Sequence, residues 1–534
     1  MRAKAFLGVP VYTMDGQQSV HEALIVVGDR IAFLGSTADA LGKYPEAEKI
    51  ELREGCILPG FIDAHLHLQD FSLLFDDLDM STEESSDAFL EHIGESCAEA
   101  DAGKESDIWI TGGGADITLL NNLSRHDLDK VCPDNPLILY GRGMHSMLIN
   151  SAALTACRID SSRQNPLHGI IERDSSGNPT GMLRGRACEL VIRHIPEYKT
   201  VSTLSAMEKG IDKLVACGVT TFCDCSQNKA DSTMRTLMKL YHMDKLKARS
   251  VLMFGDRATA RLGSMGIQSL FGNEKVRIGG SELILDGSLP TMTAYMSRPY
   301  GDMASTGMLL MEEQELLQIL KRSYGDYIWA GVHANGDRAA EIALRAYERL
   351  GQEGGIPELL KRIEHVQSLK DEDIEKITST GVIPVMCPEH ISIDREFALL
   401  YLGPHARLQH RLGSIVASGA TLAIGSDAPV GDINPLNVIY AAVERKDIHE
   451  GPELRFFPRE RIQLGDALLA YTRGSAAAIG LERELGSLEQ GKYADLVVLS
   501  KDILGYDAGA LHHVHVILTM VGGDTVYVHE REKD

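Results

Sequence analysis

The chain has 534 residues, 44% of them hydrophobic and 24% charged, with a net charge of −23. Those proportions describe a folded protein of two to four domains rather than a disordered chain, and the acidity excludes a nucleic-acid partner, which needs a basic face. No apolar run has the length of a membrane span.

Residues 1–20 start with a basic pair of positions but carry only a brief apolar patch before Asp15, so no signal peptide is expected. The nine cysteines (56, 97, 132, 157, 188, 217, 223, 225 and 387) are odd in number and scattered, which fits a reducing cytoplasm better than a disulfide framework. Cys223-Asp224-Cys225 has the spacing of half a metal site but lacks a second cysteine pair.

Residues 1–57 are rich in short β-like pieces. EALIVVGDRIAFLG (22–35) places Gly28-Asp29 between two such runs, a hairpin signal. Next comes ILPGFIDAHLHL (57–68), an apolar strand that ends in two histidines one residue apart. Side chains at i and i+2 of a strand share a face, so His65 and His67 can converge on one point and form half of a metal site. The motif alone is weak evidence, because 19 histidines in 534 residues give about 0.7 H-x-H by chance. A second one, His513-Val514-His515, lies late in a polar stretch and reads as surface or structural. Residues 58–75 thus carry a first strand, and residues 76–200, with Trp109 and the glycines 112–114, read as an inserted domain or lid.

From 201 to 483 strand-like and helix-like runs alternate. The strands are GVTTFCD (218–224), RSVLMF (249–254), ELILDG (282–287), IWAGVHA (328–334), RIEHVQ (362–367), VIPVMC (382–387) and TLAIGSD (421–427). Amphipathic segments such as AAEIALRAYERL (339–350) lie between them. With ILPGFIDAH they make eight, the number that closes a (β/α)8 TIM barrel. Residues 484–534 return to β-like pieces and pair with 1–57 in a composite β-sandwich domain built from both termini.

Chemistry in such a barrel belongs to the C-terminal ends of the strands. There the chain offers His65 and His67 on strand one, Glu282 on strand four, His333 on strand five, His365 on strand six and Asp427 on strand eight. Each alone has a structural explanation: a satisfied histidine, or an aspartate capping a helix. Together, on five strands, they are the residue types of a hydrolytic metal site.

At this level of detail the sequence resembles the amidohydrolase superfamily, and within it amidohydrolase family 3, the branch that includes N-substituted formamide deformylases. The motifs that carry the resemblance are ILPGFIDAHLHL, HANGDRA (333–339), RIEHVQ, GSDAPV (425–430) and GSLEQGKYADLVVL (486–499), with LYGRGMHSMLINSAAL (139–154), LDGSLPTMTAYMSRPYGD (285–302) and PTGML (179–183) in support. The resemblance implies a barrel, a flanking β domain and one or two divalent ions, usually Zn2+. It further implies ligation by His65, His67, Glu282, His333, His365 and Asp427, with Asp427 as the proton shuttle for attack of water on an amide-like C–N bond. His145, Arg298 and Tyr300 are expected near a small-molecule substrate. The acidic surface leaves a homodimer open.

The chain departs from the branch at three positions, and a fourth bears on a rival reading. Ala115 stands where a tryptophan is common, Gly185 where a carboxylate usually follows PTGxLx, and Glu282 where a metal-bridging lysine is usual. Gly336 stands three residues after His333, where deaminases of the superfamily place glutamate. A heterocycle deaminase and a non-catalytic relative are the competing readings; the glycine weighs against the first and the full set of polar residues against the second.

Overall fold

The computed structural model describes residues 3–73, 78–80, 85–102, 109–115, 117–141, 146–166, 169–185, 187–192, 194–195, 200–227, 229–353, 357, 359–446, 448, 451–505 and 508–529. It contains two compact units: residues 1–67, 211–428 and 432–534, and residues 68–210 with 429–431.

The first unit holds a parallel sheet of eight strands in chain order: Phe61–Leu66, Val219–Asp224, Arg249–Phe254, Val276–Ile284, Ala330–Ala334, Lys361–His365, Ile383–Met386 and Ala423–Ile424. These are barrel strands one to eight. Their runs are almost continuously buried, as in RSVLMF of strand three, because a parallel sheet is covered on both faces. Strand eight has only two ladder residues, and closure onto strand one is made beyond it: Asp427 N–H donates to the His65 carbonyl at 2.7 Å and His67 N–H to the Ala428 carbonyl at 2.8 Å. The result is an α/β barrel. Strand four starts six residues before the expected Glu282, because VRIGG (276–280) extends it. Strand one stops at Leu66, so His67 lies just past its end.

Amphipathic helices cover the barrel. In Asp337–Gln352, Ala339, Ala340, Ala343, Leu344, Ala346, Tyr347 and Leu350 form the buried face, and Tyr347 donates its hydroxyl to the Ala330 carbonyl at 2.7 Å. Burial of that stripe, rather than helix propensity, holds such a helix in place.

Both chain ends build one further eight-stranded sheet of the same unit. Leu496–Leu499 pairs antiparallel with Cys56–Pro59, with Val498 opposite Ile57. Phe6, Val11, Leu24, Ile57, Leu496, Val498 and Met520 share its apolar core, so neither end completes the sheet alone. Asp495 anchors it to the barrel: its carboxylate accepts two bonds from Arg249 of strand three, at 2.7 and 3.0 Å, and one from Gly522 N–H.

The second unit has a six-stranded sheet in the order Gly169–Arg173, Pro179–Gly185, Ser146–Ile149, Leu137–Gly141, Ile110–Ala115, Leu78–Asp79. Its buried Asn150 uses its whole amide: Nδ2 donates to Cys132 and Asn135 carbonyls, and Oδ1 accepts from Leu137 and Ala153 N–H, capping helix Ser151–Ala156.

Candidate metal centre

Asp427 is the hub of the barrel's C-terminal end. Its Oδ1 is 3.0 Å from His67 Nε2 and 3.5 Å from His65 Nε2, while Oδ2 is 3.3 Å from His390 Nε2 and 3.9 Å from His365 Nδ1. The backbone explains how one residue reaches both sides. Asp427 has φ 56° and His365 φ 67°, left-handed values that turn side chains inward where an extended strand would direct them elsewhere. Close approach of strands eight and one also requires glycine at 425. A Cβ there would lie 2.6 Å from His65 N and 2.8 Å from His65 Cβ.

A second set of bonds holds the histidines. Glu364 accepts from His65 Nδ1 at 2.8 Å and forms a fork with Arg362, at 2.6 and 2.7 Å. Arg362 adds bonds to the Ala64 and Ala478 carbonyls. Both members of this pair are fully buried, and the bond to Nδ1 aims His65 Nε2 into the centre. Asp63 fixes the strand ends, accepting from His65 N–H and Ser426 N–H.

Charges at the site are closely paired, carboxylate against imidazole and guanidinium. Burial works against the His65 imidazolium, yet Glu364 and Asp427 outweigh it and lift its pKa to about 10. His67 is raised too, against burial, by Asp427. Burial would raise Asp427, but the facing histidines hold it well below the usual carboxylate range. Burial also opposes ionisation of Glu364, which Arg362 holds down to about 2. Glu282 is pushed up by burial, with His65 opposing. His333 falls to about 4 through burial and the His65 charge, and burial holds His365 well below the usual imidazole range.

Several atoms lack the hydrogen bonds that buried groups ordinarily make. His65 Nε2, Glu282 Oε2 and Asp427 Oδ1 are such atoms. His65, His67 and Asp427 each offer one ligand atom within 4.8 Å of the others. This donor set, with imidazole nitrogens and a carboxylate converging in a buried pocket, fits a divalent cation. It opens on one side: His67 and His333 keep 28% and 18% of their side chains exposed, against 6% for His365.

The other expected residues are distributed as follows. His333 lies beside His365, with ring centroids 4.7 Å apart, but its Nε2 meets Asn335 Nδ2 at 3.2 Å. Tyr300 is completely buried and donates its hydroxyl to the Ala294 carbonyl at 2.6 Å. Arg298 is exposed on the wall of a small pocket with Asp337 and His405. His145 lies outside the described residues. His513 and His515 are exposed. Cys223 and Cys225 are buried thiols, Cys223 beside Arg362 and Cys225 against Met253.

Sequence reading passed over Glu364, Cys387 and His390. Glu364 adjoins a histidine that drew the attention. Cys387 and His390 belong to CPEH after strand seven, a strand credited with no polar residue. Gly336 carries its own message: a Cβ there would overlap the backbone of Tyr295, so a deaminase-type glutamate has no room without rebuilding that loop.

Comparison with known proteins agrees with this architecture. Residues 48–527 match the model of the Amidohydrolase family. The chain is 29% identical to Putative amidohydrolase YtcJ of Bacillus subtilis over 97% of its own length and 98% of the relative's. It is 27% identical to N-substituted formamide deformylase of Arthrobacter pascens, with 98% of each chain covered. Among solved structures, an uncharacterized metal-dependent hydrolase from Pyrococcus furiosus superposes with a TM-score of 0.74 at 26% identity, covering 94% of this chain and 99% of that one. The barrel and the sheet built from both chain ends are those of the metal-dependent hydrolases, and the chain belongs to the amidohydrolase family.

Proposed function

We propose that the chain is a zinc enzyme that hydrolyses a non-peptide, amide-like C–N bond of a small molecule. In this reading His65, His67 and Asp427 hold the ion, and Glu282, His333 and His365 complete its surroundings. The observation that carries it is the Asp427 carboxylate, buried among four imidazoles with Oδ1 3.0 Å from His67 Nε2 and 3.5 Å from His65 Nε2. A divalent ion supplies Lewis acidity, polarising a carbonyl and lowering the pKa of a water from 15.7 to about 7.

The protein's own groups do the rest. Asp427 is ionised, held so by the surrounding histidines, and takes a proton at Oδ1, the oxygen on the His67 side. It then delivers that proton to the leaving amine. Glu364 keeps His65 in one tautomer and orientation. The exposed edges of His67 and His333 mark the direction from which substrate enters. N-substituted formamides are the first class to examine, because the Arthrobacter relative bears that name. Nine free cysteines, eight of them buried, suit a reducing cytoplasm. Among the described residues no helix is long and apolar enough to cross a membrane.

The test is elemental analysis of protein purified without chelator, followed by Asp427→Asn. Zinc is expected in stoichiometric amount. The asparagine keeps the shape but takes no proton near neutrality, so turnover should fall by about 10²–10⁴-fold while the fold persists. Metal-free, metal-indifferent protein or undiminished turnover would reject the reading.

A further inference from the structure

Strand seven supplies two groups that the described chemistry does not use. Cys387 and His390 follow Ile383–Met386 directly and are 2% and 5% exposed. With His365 and Asp427 they form a group of four in which one ligand atom from each lies within 4.8 Å of the others. Cys387 Sγ is 3.7 Å from His365 Nδ1, which is 3.9 Å from Asp427 Oδ2, which in turn is 3.3 Å from His390 Nε2. A tetrahedral ion with bonds of about 2.3 Å to sulfur and 2.0–2.1 Å to nitrogen or oxygen has ligand-to-ligand edges of about 3.3–3.6 Å. Of the six edges, the Cys387–His365 and His390–Asp427 separations match these lengths to within about 0.2 Å, the His365–Asp427 separation is about half an ångström longer, and all lie within 4.8 Å.

From this geometry we infer a second cation position in which Cys387, His390, His365 and Asp427 Oδ2 are the ligands, for a borderline-soft divalent ion such as zinc or cobalt. The inference rests on the reading of Asp427 as the hub of a metal centre. This position engages Oδ2 alone and leaves Oδ1, the proton-accepting oxygen, on the His67 side. Binding deprotonates the thiol, and the proton passes to solvent.

His390 is prepared for the role. The Gln367 amide meets its Nδ1 at 3.0 Å, and Gln367 Oε1 makes no other hydrogen bond. Turned by half a revolution, the amide accepts the Nδ1 proton through Oε1, leaving the Nε2 lone pair directed at the ion. His390 stacks on His365 with ring planes 17° apart, which fixes both rings. The plain alternative is a buried thiol making a weak bond to an imidazole. It accounts for Cys387 but not for the convergence of two imidazoles and a carboxylate oxygen on the same point. A rival thiol cluster of His65, Cys225 and Glu364 is less suited, because the Arg362 guanidinium already neutralises its carboxylate.

The experiment is cobalt titration of the full chain after removal of bound metal with a chelator. Two equivalents are expected, one of them giving thiolate-to-cobalt charge-transfer absorption in the near ultraviolet. Cys387→Ser should abolish that band and leave one equivalent bound, whereas Cys225→Ser should keep it. His390→Gln should weaken the band-bearing equivalent by at least about tenfold and spare the other. If Cys387→Ser does not fold, Cys387→Ala and the wild-type spectrum decide, since the band itself requires a thiolate. Uptake of metal without the band, or a band lost in Cys225→Ser and kept without Cys387, overturns this second position and leaves the His65–His67 centre standing. Failure to bind any cobalt overturns both.

Discussion

Single residues at the centre act mainly through the charge they leave behind. Glu364 touches the centre only through His65, yet it balances a guanidinium that is wholly buried. Glu364→Gln keeps an acceptor for His65 Nδ1 but strips Arg362 of its counter-charge. Breaking a buried pair from one side costs about 3–5 kcal/mol, and loss of such a histidine-orienting group lowers metal affinity by about 10–100-fold. Thermal unfolding and zinc titration should show both losses together; a shift in stability alone would limit Glu364 to a structural role. Glu282 is different, because its Oε2 lacks a bond and its charge is felt by His65 and His67 directly. Glu282→Gln preserves volume and removes one negative charge, so metal affinity should fall by at least about tenfold. If metal content and activity both survive, the centre belongs to the histidines and Asp427 without it.

At the scale of elements, the site depends on how strand eight meets strand one. Only two residues of strand eight are in the ladder with strand seven; Gly425 N–H still donates to the Met386 carbonyl, and Asp427 and Ala428 then bond to His65 and His67. Gly425→Ala introduces a methyl where His65 N and Cβ already stand, at 2.6 and 2.8 Å. Overpacking of this kind costs about 1–3 kcal/mol, and relief must move Asp427 away from the imidazoles. The expected result is a lowered unfolding temperature together with lost zinc binding. A variant that binds zinc normally would show that the closure is more pliant than the backbone contacts indicate.

The whole first unit is joined through the Arg249–Asp495 pair, where barrel and terminal sheet meet. Lys275 lies beside it, half-buried, and burial and the Arg249 charge push its pKa down to about 8. Between pH 8 and the unfolded value of 10.5 the unfolded chain binds more protons than the folded one, so stability from this group rises with pH across that window. Below pH 8 the full penalty is present, at most about 1–3 kcal/mol after allowance for partial exposure. Lys275→Met should therefore be more stable than wild type at pH 7, with the difference shrinking as the pH approaches 10.5. Urea unfolding of both proteins across that range is the check, and a pH-independent difference would assign the effect to packing.

Local pattern determined a great deal of this. Eight apolar runs separated by amphipathic segments dictate a parallel barrel, since each run must be covered on both faces and each helix must bury one stripe. Strand ends carrying His65, His67, His333, His365 and Asp427 were equally legible, because polar residues ending apolar strands break a pattern that the eye can follow. Other features were not readable along the chain. Glu364 faces His65 across the barrel interior, 299 positions away in sequence. Cys387 and His390 follow a strand that carries no polar residue of its own, and they matter only because His365 and Asp427 turn toward them through left-handed backbone. Periodicity encodes which face of its own element a side chain takes. Which atoms of different elements come within bonding distance is decided by ring closure and by the few residues held at positive φ, and those are properties of the folded barrel as a whole.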